Sequence, residues 1–266
     1  MGNTIFIIWR ESVEAILIVS ILYSWIQARG DGRIRLAHLW LGVAGGIGLA
    51  AVLALAMLGF QSQLAGNTLE AFQACIMIVA ALLVTHMVVW MRHHGRTLKR
   101  ELESGLTRAA EQTGGLSAAL LAAIAVGREG TETVLFLYGI VAENSGGWTS
   151  LMAGAAIGAA LAAVTAALFL KGSRLLPQRV FFRISEVLLL LLASGLLVSG
   201  LEAFLNLEWL PPLVEPVWDS SALLRDNGLL GSFAGYRARP ALSILGLWML
   251  YWIGTLWLLR APRRSV

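Results

Sequence analysis

Two short runs in this sequence place charged residues inside otherwise apolar segments: Arg10-Glu11-Ser12-Val13-Glu14 and Arg128-Glu129-Gly130-Thr131-Glu132. Both read R-E-x-x-E, and 118 residues separate them. On a helix, glutamates at i and i+3 share one face with Cβ atoms about 5–6 Å apart, and each arginine stands four residues before the second glutamate. Arg10 can therefore pair with Glu14, and Arg128 with Glu132. A purely structural ion-pair network would be the simplest use of these groups, but each motif has two carboxylates for one guanidinium. One negative charge per motif is left over. Brought together, Glu11, Glu14, Glu129 and Glu132 would form an all-oxygen cluster suited to a hard cation. Neither motif contains Cys, Met or His, which argues against a site for soft copper(I). Arg10 and Arg128 have no acceptor atoms, so they are assigned to charge balance and carboxylate orientation.

The elements that must position these residues follow from composition. The chain has 266 residues, 58% hydrophobic and only 14% charged, with mean hydropathy +0.74. Soluble domains carry about 25% charge, so a soluble globular protein is excluded. Seven apolar stretches, Thr4–Ala28, Leu36–Phe60, Leu69–Met91, Leu116–Val141, Trp148–Leu170, Val180–Leu205 and Ala241–Leu259, are each long enough to cross a hydrocarbon layer of about 30 Å as a helix. The expected fold is an all-α polytopic membrane protein, a single transmembrane domain over residues 1–266. Both motifs fall near mid-span. Each charge there opposes insertion by about 2.5–3.5 kcal/mol unless compensated, which makes intramembrane acids strong candidates for an ion pathway.

Lys and Arg set the orientation. They concentrate in the connections at Arg29–Arg35, Arg92–Arg108 and Lys171–Arg179 and in the tail at Arg260–Arg264, against Arg225, Arg237 and Arg239 on the other side. The positive-inside rule puts the N-terminus outside and the C-terminus in the cytoplasm, in a cytoplasmic (inner) membrane. The basic balance (net charge +4, pI near 9.7) is explained by this topology and calls for no nucleic-acid partner. The first stretch lacks a basic n-region and a small-residue cleavage site, so it is expected to be retained as a helix. Cys75 is the sole cysteine, which excludes an intrachain disulfide and a thiolate metal cluster.

The doubled motif also implies an internal repeat. Gly42 and Gly46 in the second stretch match Gly154 and Gly158 in the fifth, and Glu70 and Glu186 lie near the starts of the third and sixth. Two three-helix units, 1–91 and 116–205, are expected, followed by an external loop at 206–240 and a seventh helix at 241–259. With three helices per unit, the second enters from the opposite face: an inverted repeat of 3+3 helices plus one C-terminal helix, the plan on which many transporters build a midplane site. The glycines themselves read as helix-packing positions. Residues 92–115 read as a helix-like cytoplasmic connector on a solvated face.

Other polar positions have plainer readings beside functional ones. Glu70 and Glu202 could form an entrance ring with Glu143 and Glu208, though interfacial acids are usually just solvated. Glu186 could relay ions at the exit side, but an ion pair with Arg183 three residues earlier explains it. His86 could be a ligand or proton acceptor; a neutral imidazole bonded to a neighbouring helix is the simpler reading. The loop 206–240 is longer than its connection needs and carries Asp219, read as the N-cap of a short helix ending near Gly228.

Two R-E-x-x-E motifs in the first and fourth of seven helices resemble the oxidase-dependent high-affinity iron permeases of fungi and bacteria. Trp218-Asp219-Ser220-Ser221, followed by Gly235-Tyr236 and Pro240, also resembles a stretch of the bacterial members before their last helix. The resemblance implies ferric iron uptake across the cytoplasmic membrane, with Glu11, Glu14, Glu129 and Glu132 as ligands. It further implies an extracytoplasmic oxidase or copper-containing iron donor as partner, lipid around the spans, no permanent cofactor and iron as the transported substrate. The carboxylates alone would also admit lead or manganese. An intramembrane di-metal oxidase is disfavoured, because helical di-iron sites usually use Glu-x-x-His pairs and the chain has none.

Overall fold

The computed structural model describes residues 1–29, 35–94, 98–112, 115–143, 148–170, 178–221 and 229–260. Arg33, Asn144, Lys171, Arg174, Arg225 and Gly228, on which parts of the topology and loop readings rest, lie outside them. The described residues are helical with no strand: α1 Gly2–Arg29, α2 Leu36–Gln61, α3 Asn67–His94, α4 Leu98–Gln112, α5 Gly115–Glu143, α6 Trp148–Leu170, α7 Gln178–Asn206, α8 Leu229–Ala234 and α9 Leu242–Arg260.

Five of these, α2, α3, α6, α7 and α9, are long and apolar enough to cross a membrane by length and composition. Helices α1 and α5 have 28 and 29 residues, but each carries the three charges of an R-E-x-x-E motif, which separates them from the wholly apolar spans. The long helices agree with the seven apolar stretches to within a few residues at each end.

The chain forms two compact units, and each draws helices from both expected repeats. The first comprises Met1–Phe60, His94–Val134 and Thr149–Leu176, so it contains α1, α2, α4, α6 and most of α5. Its helices meet at glycine seams. A methyl group on Gly42 would collide with the Ala119 carbonyl oxygen and Ala122 Cβ of α5; one on Gly46 would strike the Ala123 carbonyl oxygen and Val126 Cβ. Gly154 and Gly158 of α6 make the same approach to α1, against the Met1 carbonyl oxygen and Thr4 Cβ and against the Ile5 carbonyl oxygen and Ile8 Cβ. The 118-residue offset between Glu11 and Glu129 also relates Ala119 to Met1, Ala122 to Thr4, Ala123 to Ile5 and Val126 to Ile8. The two seams are thus equivalent atom for atom. Close backbone approach of this kind supplies helix contact where lipid offers no hydrophobic drive.

Helix α4 departs from the solvated connector expected at 92–115. Leu102 and Leu106, one turn apart, are buried against Ile18, Leu22 and Ile26 of α1, Leu39 of α2 and Ala118 and Ala122 of α5. The polar residues between them hide a narrow apolar stripe that needs only two leucines at i and i+4. Burying a leucine from water contributes roughly 1.5–3 kcal/mol, enough to hold α4 on the unit.

The second unit comprises Gln61–His93, Leu135–Trp148 and Pro177–Val266. Gly200 of α7 packs on Ala74, Met77 and Ile78 of α3. Hydroxyl and indole groups tie in α9: Thr85 Oγ1 lies 2.8 Å from the Tyr251 hydroxyl, and Trp248 Nε1 donates to Ser194 Oγ at 2.8 Å. In the segment before α9, Asp219 does not open a helix at the next two residues. It accepts hydrogen bonds from the Ser221 backbone N and Oγ instead, and the short helix that is described, α8, lies at 229–234. Gly235 follows α8 at φ 71°, a left-handed conformation that lets the chain press against Val198 and the Ser194 carbonyl of α7.

Candidate metal centre

The site lies within the first unit. One helical turn separates Glu11 from Glu14 on α1, and the same spacing sets Glu129 and Glu132 on α5. Arg10, Glu11, Glu14 and Glu129 are all buried, Glu11 to 2% exposure. Arg10 bridges both carboxylates of its own motif, with NH1 2.6 Å from Glu11 Oε1 and NH2 2.5 Å from Glu14 Oε1. Pairing with Glu14 follows the i,i+4 expectation; the added bond to Glu11 does not appear in that rule, because it depends on the guanidinium folding back along the helix. Arg128 pairs with Glu132 at 2.9 Å, as expected, but its side chain is 39% exposed.

Glu11, Glu14 and Glu129 each offer a carboxylate oxygen, and the three oxygens lie within 4.8 Å of one another. Oxygens bound to a hard cation at about 2.0–2.6 Å stand no more than about 4–5 Å apart, so this spacing fits a shared ion. Glu132 is next to the group in sequence but outside the trio. Glu11 Oε2 and Glu129 Oε2 are buried and accept no hydrogen bond. Leaving such lone pairs unsatisfied is costly, and a cation is the partner that carboxylates without donors call for. Three buried carboxylates against one buried guanidinium leave a net charge of −2, in surroundings where opposite charges attract strongly.

The remaining positions singled out in the sequence lie elsewhere, in the second unit. Glu70 is exposed in the first turn of α3, and His86 is exposed farther along the same helix. Glu186 pairs with Arg92 of α3 at 3.2 Å, whereas the sequence pointed to Arg183. Glu202 is held by Arg237 Nε at 2.5 Å, and the same guanidinium donates to Ser199 Oγ at 2.9 Å. Asp219 accepts two bonds from Arg239, at 2.7 and 3.0 Å; with those from Ser221 they hold its exposed carboxyl well below the usual carboxylate range. Among the described residues Glu70, Glu202 and Glu208 do not gather into a three-acid group. Neither Arg92 nor Arg237 could have been found as a partner from local spacing, because both contacts join distant parts of the chain.

Residues 1–260 match the Iron permease FTR1 family. The chain belongs to that family. Among curated relatives, the ferrous iron permease EfeU of Shigella sonnei (strain Ss046) is 31% identical over 97% of this chain and 95% of its own length. The protein of the same name from Escherichia coli O6:H1 is 32% identical over the same shares, and that of Yersinia pestis is 32% identical over 97% of this chain and 93% of its own. No solved structure matches. This permease is therefore a multi-pass membrane transporter, not an enzyme, and iron is the substrate of its family.

Proposed function

We propose that this permease moves iron inward across the cytoplasmic membrane through the Glu11, Glu14 and Glu129 carboxylates, with Glu132 and Arg128 adjoining them on α5. The observation that carries the reading is the buried trio, whose unpartnered oxygens and excess negative charge suit a hard cation, in a chain of an iron permease family. Seven membrane-spanning helices are proposed, α1–α3, α5–α7 and α9, with the N-terminus outside and the basic connections in the cytoplasm. The equivalent glycine seams support an inverted repeat of 3+3 helices that pairs α1 with α5 at mid-membrane.

Ferric iron is the form proposed at the carboxylates, supplied by an extracytoplasmic oxidase or copper-containing donor. An all-oxygen site with charge −2 holds a trivalent ion more strongly than a divalent one. A second reading, ferrous cargo, is favoured by the names of the relatives, which are ferrous iron permeases. Uptake of radioactive iron in a transport-deficient host separates the alternatives. Single Glu11→Gln, Glu14→Gln and Glu129→Gln variants should each lose uptake by on the order of 100-fold or more, without additivity, because the cluster works as a unit. Wild-type uptake by the triple variant would overturn the site. Normal uptake of ferrous iron with oxidation blocked would overturn ferric cargo alone.

A further inference from the structure

A cavity of about 910 Å³ opens beside the carboxylates in the first unit, between α1, α2 and α5. Glu11 and Glu129 line it, whereas Glu14 and Glu132 do not. Along α5 its wall stays near the level of the glutamates, from Val126 to Val134; along α1 it continues to Ser24, and along α2 from Ala54 back to Trp40. Thirteen residues of α1 separate Glu11 from Ser24, which is about 20 Å of helix. The cavity therefore runs from the buried cluster toward the end of α1 that carries Arg29. Glu11 and Glu129 are the only charged groups on its wall.

The polar groups beyond them all come from α1: Ser12, Ser20, Tyr23 and Ser24. Ser20 Oγ donates its proton to the Ile16 carbonyl at 2.7 Å, and the Tyr23 hydroxyl accepts from Gln27 Nε2 at 2.8 Å. A hydroxyl that has donated its proton still presents acceptor lone pairs. The 118-residue offset relates Ser20, Tyr23 and Ser24 to Tyr138, Val141 and Ala142, so the hydroxyl stripe belongs to one repeat only.

We propose that this cavity is the water-filled exit by which iron leaves Glu11 and Glu129 for the cytoplasm, with the α1 hydroxyls as its polar wall. The proposal rests on the carboxylate site and orientation put forward above. Release requires that the ion meet no second strong site after the cluster, and a wall with neutral hydroxyls and no further charge meets that need. The volume accommodates many waters at roughly 30 Å³ each, so the ion can regain hydration as it moves away.

Single cysteines in a Cys75→Ala background test it. Ser20→Cys and Ser24→Cys should react with a membrane-impermeant methanethiosulfonate in inside-out vesicles at least about tenfold faster than Val52→Cys and Leu55→Cys, which lie on the exposed apolar surface of α2. In right-side-out vesicles they should stay unlabelled. Reaction from the outer side alone, or only at the rate of the α2 controls, as in a lipid-filled groove, would overturn the exit. As an independent measurement, Ser20→Phe should reduce iron uptake about tenfold or more while purified protein still binds iron, whereas Glu11→Gln loses both. Wild-type uptake by Ser20→Phe alongside failed glutamate variants would sink the exit and leave the carboxylate site standing. Normal binding and uptake by Glu11→Gln would instead sink the site itself.

Discussion

Glu11 and Glu129 present carboxylate oxygens within 4.8 Å of each other although 118 residues of chain separate them. Both side chains are buried, both keep an oxygen without a hydrogen-bond donor, and both face the same cavity. They occupy equivalent positions in two motifs on two helices held by equivalent glycine seams, so the ligand pair is a product of the repeat.

The two arginines should not be interchangeable. Arg10 is buried and divides its guanidinium between two carboxylates, while Arg128 meets one and is 39% exposed. Removing one partner of a buried ion pair costs about 3–5 kcal/mol, so Arg10→Ala should sharply lower the yield of folded protein. Arg10→Lys keeps the charge but loses the planar fork, and should reduce uptake far more than Arg128→Lys. Uptake assays normalised to membrane-inserted protein check this; equal losses in the two lysine variants would contradict it.

The glycine seams should tolerate no side chain. Gly46→Ala and Gly158→Ala each push a methyl toward backbone atoms of the facing helix, whereas Gly48 and Gly59 have open space around them. Overpacking typically costs about 1–3 kcal/mol, here with loss of uptake as α1 and α5 move apart. Gly48→Ala and Gly59→Ala should leave both stability and uptake near wild type. Thermal unfolding in detergent together with uptake resolves the two classes.

Asp219 should contribute the same at any pH the cell meets. Its carboxyl is held low chiefly by the hydrogen bond from Arg239, then by Ser221. A group whose folded pKa is depressed stabilises above its unfolded value, about 3.9 for Asp, and loses that contribution only as pH falls through the folded value. The pH dependence of uptake between about 5 and 8 should therefore have the same shape in wild type and Asp219→Asn. A shift in the profile midpoint in the variant would show that Asp219 titrates during transport.

Much of this protein was legible in its sequence, for a physical reason. Long apolar runs must become helices in a bilayer, since no water is present there to satisfy an exposed backbone; the helices from α1 to α9 accordingly fall where hydropathy placed the spans. The i,i+4 pairs Arg10–Glu14 and Arg128–Glu132 are set by helical pitch and were equally readable. So was the doubling of the motif.

Tertiary structure decided what depends on rotation of one helix against another. It selected Glu11, Glu14 and Glu129 as the close group and kept Glu132 with Arg128, although the motif alone treats all four alike. It gave Glu186 to Arg92 and Glu202 to Arg237, buried one face of α4 and turned Ser20 and Ser24 toward a cavity shared with α2. Periodicity fixes which residues share a face of one helix; which face meets which neighbour is set by packing between helices far apart in the chain, at seams such as Gly46 on α5 and Gly158 on α1.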